Sequence, residues 1–331
     1  MRYEQDFSDF TLKNYEKLLT TAKEFYSFTV FKSIDWGSKF LLWRHDIDFS
    51  LESALILAKI ENAHEVQATY LINLHSEFYN PLQSSQVKII NQLVELKHDI
   101  GIHFDCTFYD VNNKEELIQC LTKEIRIFQD ILGIEPTVFS FHNPTKDQLR
   151  FDEDLYCGLL NTYSKSFKDV PYCSDSNGYW RHENLSNFIK NKSNKNAQVL
   201  THPGWWQEKP NPPRLRVAKC NYNRSALTML EYDALLKFGH RENYDFIDKD
   251  LRKIINSLNI SDQTLDVLVL NNEFDLILTM IIEKIKSEKN LIQIGSKIHE
   301  FDKNRKKISS LKEFNLLVHQ LYSLITGKRK D

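Results

Sequence analysis

Four short segments of the sequence carry histidine and aspartate, which are side chains that commonly bind metal ions and transfer protons in enzymes. They read His45-Asp46-Ile47-Asp48, His103-Phe104-Asp105, Ser140-Phe141-His142-Asn143 and Thr201-His202-Pro203. Imidazole nitrogens and a carboxylate oxygen form the ligand set of a catalytic zinc ion, which keeps one position open for water. A bound metal ion lowers the pKa of that water and polarises a carbonyl group. The segments therefore predict a metal-dependent hydrolase of amides or esters.

Asp46 and Asp48 lie two residues apart, and alternate residues of an extended strand point to the same side. Both carboxylates can therefore face one cavity, where they repel each other unless a cation or a proton lies between them. Capping of the following helix would explain Asp48 but not Asp46. Seven other histidines are interpreted as hydrogen-bonded structural residues. They are His64, His75, His98, His182, His240, His299 and His319.

Apolar runs precede these segments, and stretches of helical period separate them. The run 40–43 is continuously apolar, as in a strand covered on both faces, and a further strand is predicted at 100–104. After Ser50, a suitable N-cap, apolar residues recur at helical spacing. This alternation predicts parallel strands joined by helices. Because active sites of such folds form at the C-terminal ends of the strands, the polar segments should meet there.

The length of 331 residues suits one large α/β domain with an appendage. We place the boundary near residue 220, after a proline cluster, so that 1–220 form the α/β domain. Residues 221–331 are expected to form a helical appendage of unknown role, because apolar residues recur there at helical spacing. Such spacing is found at 227–235, 251–258, 274–285 and 317–324.

Charge and apolar content exclude several kinds of partner. A net charge of −2 provides no basic field that would attract nucleic acid. No segment reaches the roughly 18 apolar residues of a membrane span. The acidic start MRYEQDFSDF lacks the features of a signal peptide, so a cytoplasmic location is expected. The five cysteines include no CxxC pair, which favours reduced thiols over disulfides or a thiolate metal site.

The stretch RHDIDFSLESALILAKIENAHEVQATYLI, followed by DIGIHFD, SFHNP and THPGWW, resembles the polysaccharide deacetylase superfamily. This group is also known as the NodB-homology or carbohydrate esterase family 4 group. The resemblance covers roughly residues 10–206 and implies a distorted (β/α) barrel of about seven strands. It implies that Asp46 is the general base, that Asp48 and His103 are metal ligands, and that His202 assists the leaving amine.

Two further features of the resemblance concern the surroundings of these residues. A family motif that contains Asp and Trp corresponds to SDSNGYW, with Asp175 and Trp180, and Asp175 would orient the catalytic histidine. The family carries a second histidine ligand four residues after the first, but this chain has Thr107 at that position. We therefore expect His142 to complete the ligand set. Asp105 is the alternative ligand, and a site without metal is the third possibility.

The combined interpretation is a metal-dependent N-deacylase that acts on an N-acetylated sugar or a related small amide. Zinc is the expected ion, with iron, manganese, nickel or cobalt as alternatives. Contacts to a small-molecule or glycan substrate are assigned to Asp105, Asn143, Trp180 and Trp205. Two other functions stay open, namely hydrolysis of another C–N bond in an imide, ureide or formamide, and a metal-free binding or scaffold protein. A homo-oligomer is also left open.

Overall fold

The computed structural model describes residues 7–180, 182–191, 194–241, 274–287, 295–305, 307–308 and 311–326. The chain divides into two compact units, residues 1–225 and residues 226–331. This division lies close to the expected boundary near residue 220. The interpretation of the two parts as separate domains stays a prediction.

The first unit is built on one sheet of nine described strands. They are β1 (Ser27–Thr29), β2 (Phe40–Ile47), β3 (Thr69–Ile72), β4 (Asp99–Phe104), β5 (Val138–Phe141), β6 (Leu155–Tyr156), β7 (Leu159–Asn161), β8 (Tyr172–Ser174) and β9 (Ala197–Thr201). The order is β6-β7-β5-β4-β3-β2-β9-β8, and β1 pairs with β2. All pairs are parallel except the β6–β7 hairpin. The sheet curls into a half-barrel, which confirms the predicted α/β class and distorted (β/α) barrel, with nine strands instead of about seven.

Seven described helices lie in this unit or begin in it. They are α1 (Leu12–Lys23), α2 (Leu51–Ala63), α3 (Ser84–Glu95), α4 (Cys106–Tyr109), α5 (Lys114–Ile127), α6 (Leu185–Lys190) and α7 (Pro213–Phe238). At the start of α2, Ser50 Oγ accepts a hydrogen bond of 3.0 Å from the backbone N–H of Ser53. At the start of α5, Asn113 Oδ1 accepts one of 2.9 Å from Glu116. Each cap satisfies an N–H that the first helical turn leaves free, so these starts follow from the local sequence.

Strand β2 separates two apolar layers. Leu41, Trp43 and Ile47 belong to the larger hydrophobic cluster, which the helices share and which marks the outer face of the sheet. Phe40 and Leu42 belong to a smaller cluster on the opposite, inner face. Burial of a large apolar side chain stabilises a fold by about 1.5–3 kcal/mol. The alternation of β2 therefore directs its even-numbered residues to the inner face and its odd-numbered residues toward the helices.

The described part of the second unit is helical, as expected. Its helices are α8 (Phe274–Ser287), α9 (Gly295–Asn304) and α10 (Leu311–Thr326). They share a hydrophobic core that includes Ile281, Ile298 and Phe314. The helical spacing predicted at 251–258 lies outside the described residues. Among the helices that the structure describes, none combines the length and the apolar character needed to span a bilayer.

Candidate metal centre and catalytic site

The C-terminal ends of five neighbouring parallel strands, in the order β9-β2-β3-β4-β5, form one edge of the sheet. Asp48 directly follows β2, His142 directly follows β5, and His202 directly follows β9. His103 is the penultimate residue of β4, and Asp46 lies inside β2. Because parallel strands end at the same edge, side chains from distant parts of the sequence lie together here.

Asp48, His103 and His142 bring three ligand atoms together at this edge. His103 Nε2 lies 3.1 Å from Asp48 Oδ1 and 3.0 Å from His142 Nδ1. His142 Nδ1 lies 3.3 Å from Asp48 Oδ1. Two ligands bound at about 2.0–2.1 Å to one tetrahedral ion are separated by roughly 3.3 Å. The three atoms therefore have the spacing of ligands that share one ion.

The state of Asp48 supports the same interpretation. Its Oδ1 is buried and faces His103 Nε2 and His142 Nδ1, so a cation between these three atoms would stabilise the buried charge. Burial acts to raise the pKa of Asp48, but the adjacent imidazoles of His103 and His142 and the charge of His202 hold that pKa well below its ordinary value. The carboxyl group is ionised, as a metal ligand must be. The residues present fit a divalent metal ion.

Neighbouring groups fix how the two imidazoles face the cluster. Ser140 is paired with His103 across β4 and β5, and its Oγ lies 2.7 Å from His103 Nδ1, which leaves Nε2 free for a metal ion. The backbone N–H of His142 donates to the carbonyl oxygen of Phe104 at 2.8 Å. Contacts to the non-ligating nitrogen fix the orientation of a metal-binding ring. The side chains of His142 and Asp48 are 22% and 15% exposed, so a substrate can approach from solvent.

His202 lies beside this cluster and is held by a buried carboxylate. Asp175, which follows β8, is fully buried, and its Oδ1 accepts a hydrogen bond of 2.6 Å from His202 Nδ1. The Oδ2 atom of Asp175 accepts another of 2.9 Å from Trp206 Nε1. His202 Nε2 then lies 3.8 Å from Asp48 Oδ2. Burial acts to lower the pKa of His202, but the charge and hydrogen bond of Asp175 raise it to about 9.

Asp46 is paired with a buried cation on its own strand. Arg44 lies two residues earlier on the inner face of β2 and is 1% exposed. Its Nη2 lies 3.5 Å from Asp46 Oδ2, which is also 3.6 Å from His103 Nδ1. The other oxygen of Asp46 is buried without a hydrogen-bond partner among the described residues. Asp46 therefore has one oxygen directed to a cation and one that is available to a water molecule or a substrate.

Asp105 and Asn143, which were assigned to substrate contacts, lie next to the cluster and not in it. Asp105 Oδ1 accepts a hydrogen bond of 2.8 Å from the backbone N–H of Thr107 and thereby caps α4. It does not belong to the described group of three ligand residues. Asn143 Nδ2 lies 3.0 Å from His142 Nε2. Thr107, where the resembling family has a histidine, is exposed on α4. Substrate contacts by Asp105 and Asn143 stay predictions.

The two tryptophans assigned to the substrate pack into the larger hydrophobic cluster. Trp180 stacks on Phe10 with ring centroids 5.0 Å apart, and its Nε1 donates to Asp9 Oδ2 at 3.1 Å. Trp205 is 6% exposed, and its ring centroid lies 4.7 Å from that of Phe49. Because packing already uses both rings, the structure does not bring them to the ligand cluster. Their role as sugar contacts stays a prediction.

The sequence interpretation assigned no role to Arg44 or Ser140. Arg44 could have been found from the alternation of β2, which puts it on the same face as the two aspartates. The same alternation turns His45 away from the cluster, and its Nε2 instead lies 2.7 Å from Glu61 Oε1 on α2. Ser140 gave no comparable signal, because its contact with His103 depends on the pairing of β4 and β5.

Comparisons with known proteins give a limited result. No model of a known protein family matches the chain, and no curated protein matches it. Among solved structures, part of the chain is similar to a mutant of a CE4 family pseudoenzyme with restored enzymatic activity. The two share 14% identity and a TM-score of 0.33, over 56% of this chain and 64% of that chain. This chain thus spans less than two thirds of that protein, and a likeness at this level carries no conclusion about activity.

Proposed function

We propose that this protein is a metal-dependent hydrolase that removes an N-acyl group, foremost an acetyl group, from a sugar or a related small amide. The observation that carries the proposal is the group of Asp48, His103 and His142, whose ligand atoms lie 3.0 to 3.3 Å apart. Amide hydrolysis needs an activated water, a polarised carbonyl group and a proton for the leaving nitrogen. Residues at this edge of the sheet can serve each need.

Asp48, His103 and His142 are the residues that would hold the ion. When bound, a divalent metal supplies Lewis acidity and lowers the pKa of a coordinated water molecule. Two imidazoles and one carboxylate with an open position suit zinc best, and iron, manganese, nickel or cobalt accept the same ligands. The partial exposure of His142 and Asp48 leaves the substrate side of the cluster open.

Asp46 is the residue that would accept the proton of the attacking water. Its Oδ1 has no described hydrogen-bond partner, and its Oδ2 faces the guanidinium of Arg44 at 3.5 Å. A guanidinium keeps its proton in proteins, so Arg44 can hold the carboxylate of Asp46 in place without competing for the transferred proton. A general base of this kind contributes about 10² to 10⁴ in rate.

His202 is the residue that would give a proton to the departing nitrogen. Asp175 binds its Nδ1 at 2.6 Å, so Nε2 is the atom that faces the cluster. Asp175 acts as a positioning residue, because a hydrogen bond to one ring nitrogen determines which atom the other presents. Protonation by such an acid lets the amine leave as a neutral group.

The substrate class depends on the motif resemblance across residues 10–206. Sugars with an acetylated amine are the substrates that this resemblance implies, and a small amide of another kind would use the same proton transfers. Product analysis separates these possibilities, because an acetamide releases acetate and a formamide releases formate.

The test compares wild type with Asp46→Asn and with Asp130→Asn, a matched change at an exposed carboxylate. Each protein is loaded with zinc, and bound metal is measured by elemental analysis. Acetate release is measured with N-acetylglucosamine oligomers, and formate release with an N-formylated amine. Asp46→Asn should keep stoichiometric zinc while kcat falls by about 10² to 10⁴. Asp130→Asn should retain both zinc and turnover.

Two outcomes would count against the proposal. Undiminished hydrolysis by Asp46→Asn would remove Asp46 from the reaction. A folded wild-type protein that binds none of the five candidate metals would contradict the proposed function as a whole. Formate release without acetate release would replace the acetylated substrate by a formamide and retain the assigned residues.

A further inference from the structure

A second set of polar side chains lies behind the site, on the outer face of the sheet. We call it the outer-face network, and its members are Tyr15, His45, Glu61, Tyr70, His98 and Thr201. Each of these residues is at most 5% exposed. Glu61 on α2 is the centre of the network. Its carboxylate accepts hydrogen bonds from the hydroxyl groups of Tyr15 and Tyr70, and it lies 2.7 Å from His45 Nε2 and 3.6 Å from His98 Nδ1.

The network also connects strand β2 to strand β9. His45 Nδ1 lies 2.7 Å from Thr201 Oγ1. These two residues form the last register pair between the strands, and neither of the next residues, Asp46 and His202, belongs to a β2–β9 pair. The contact between His45 and Thr201 therefore joins the two strands directly before the next residues on each strand. These are Asp46, the proposed base, and His202, the proposed acid.

Stability alone does not account for such a network. Replacement of a buried ion pair by apolar side chains of similar volume is often neutral or stabilising. The apolar residues Trp43 and Leu57 fill neighbouring positions between the sheet and α2. Hydrogen bonds, however, restrict distance and angle more narrowly than apolar contacts do. A network of hydrogen bonds is therefore suited to hold two strands at a fixed separation.

We infer that the outer-face network is a positioning device, in which the contact between His45 and Thr201 sets the separation of Asp46 and His202. The inference rests on the proposed function, because it concerns the distance between the base and the acid of that function. Both groups must reach one substrate amide, and a displacement of about 1 Å can reduce turnover by about 10². Without the contact, His45 and Thr201 keep their backbone register but lose the side-chain hydrogen bond between the two strand ends.

The test uses three variants of the full chain loaded with zinc. Thr201→Val removes the hydroxyl group and keeps the branched shape, Thr201→Ser keeps the hydroxyl group, and Thr122→Val is a matched change on α5. Acetate release from N-acetylglucosamine oligomers gives kcat and KM. Thr201→Val should lower kcat by about 10- to 10²-fold with KM and bound zinc unchanged. Thr201→Ser should restore most of kcat, and Thr122→Val should match wild type.

Each outcome has a distinct meaning. Wild-type kcat in Thr201→Val, or no recovery in Thr201→Ser, would overturn the inference. Thr201→Ala serves the same comparison if the valine variant does not fold. Absence of amide hydrolysis in the wild type would overturn the proposed function instead. In that case crystal structures of wild type and variant decide the inference, because the separation of Asp46 and His202 must change when the hydroxyl group is removed.

Discussion

Strand β2 has buried ionisable side chains on both of its faces, and the faces differ in how completely these groups are paired. On the outer face, the carboxylate of Glu61 contacts two tyrosine hydroxyl groups and two histidine rings. On the inner face, one oxygen of Asp46 and two guanidinium nitrogens of Arg44 are buried without a hydrogen-bond partner among the described residues, and Asp48 Oδ1 faces the imidazoles of His103 and His142 at 3.1 and 3.3 Å.

This difference separates residues that hold the fold from residues that are available to a ligand. An unpaired buried polar atom costs about 1–3 kcal/mol, so a folded protein retains it where it has another use. Changes on the inner face should therefore affect metal binding and turnover more than stability. Changes at the centre of the outer-face network should affect stability more than metal binding. The following variants test this contrast, from the largest expected effect to the smallest.

Asp48→Ala should have the largest effect, because it removes one of the three proposed ligand atoms on the inner face. We expect zinc affinity to fall by more than about 10², beyond the loss caused by changes in outer-shell residues. Hydrolysis should fall to background. Asp105→Ala is the matched control. Asp105 directly follows strand β4, but its carboxylate caps α4. Elemental analysis after dialysis measures both variants, and retention of zinc by Asp48→Ala with loss by Asp105→Ala would exchange the two ligand assignments.

Glu61→Gln should lower the free energy of unfolding by about 3–5 kcal/mol, because it removes the buried charge to which the hydroxyl groups of Tyr15 and Tyr70 donate and which lies 2.7 Å from His45 Nε2. Bound zinc should remain stoichiometric in the folded variant. Glu115→Gln, an exposed change on α5, should leave stability nearly unaltered. Denaturant unfolding followed by circular dichroism gives the values. A Glu61→Gln protein as stable as wild type would show that the outer-face network does not contribute more to stability than the inner-face residues do.

Gly101→Ala should destabilise the protein by about 1–3 kcal/mol through overpacking on the inner face. A Cβ atom at Gly101 would overlap the backbone oxygen of Val138 and would lie 2.5 Å from Leu71 Cδ2 and 2.7 Å from a side-chain carbon of Val138. Zinc affinity should also fall, because His103 lies two residues further along the same strand. Gly37→Ala is the control, since an added Cβ meets only the side chain of Asp35. Unchanged stability and zinc affinity in Gly101→Ala would contradict the tight packing of β4.

The pH dependence of stability should show the smallest effect, and it concerns the outer face. Burial lowers the pKa of His98 from its ordinary value of 6.5, although the charge of Glu61 opposes this shift. The unfolded chain then binds the proton more readily than the folded protein. This contribution to stability is therefore present above pH 6.5 and is lost as the pH falls through the folded pKa.

Unfolding measurements at a series of pH values between about 7.5 and 5.5 can detect this loss. His98→Asn should give a flatter dependence, because the titrating group is absent. The raised pKa of His202 acts in the opposite direction in both proteins, so the difference between them isolates the contribution of His98. A gain in the stability of wild type relative to His98→Asn as the pH is lowered through this range would contradict the assigned sign.

The sequence by itself determined the local features of this protein. Ser50 caps the helix that its position predicts, and Asp46 and Asp48 lie at the end of an apolar run. Capping, helical period and strand alternation are properties of a few neighbouring residues, so they can be recognised without knowledge of the fold. The same alternation along β2 predicts that Arg44 lies on the inner face and His45 on the outer face.

Only the tertiary structure decided which residue stands beside His103 and Asp48. His142 directly follows β5, and Asp105 directly follows β4. Both residue types are suitable metal ligands. The backbone bond from His142 to Phe104 extends the β4–β5 ladder and brings the His142 ring to 3.0 Å from His103, while Asp105 turns to cap α4. Strand order and register arise from contacts between segments far apart in the chain, and no local pattern specifies them.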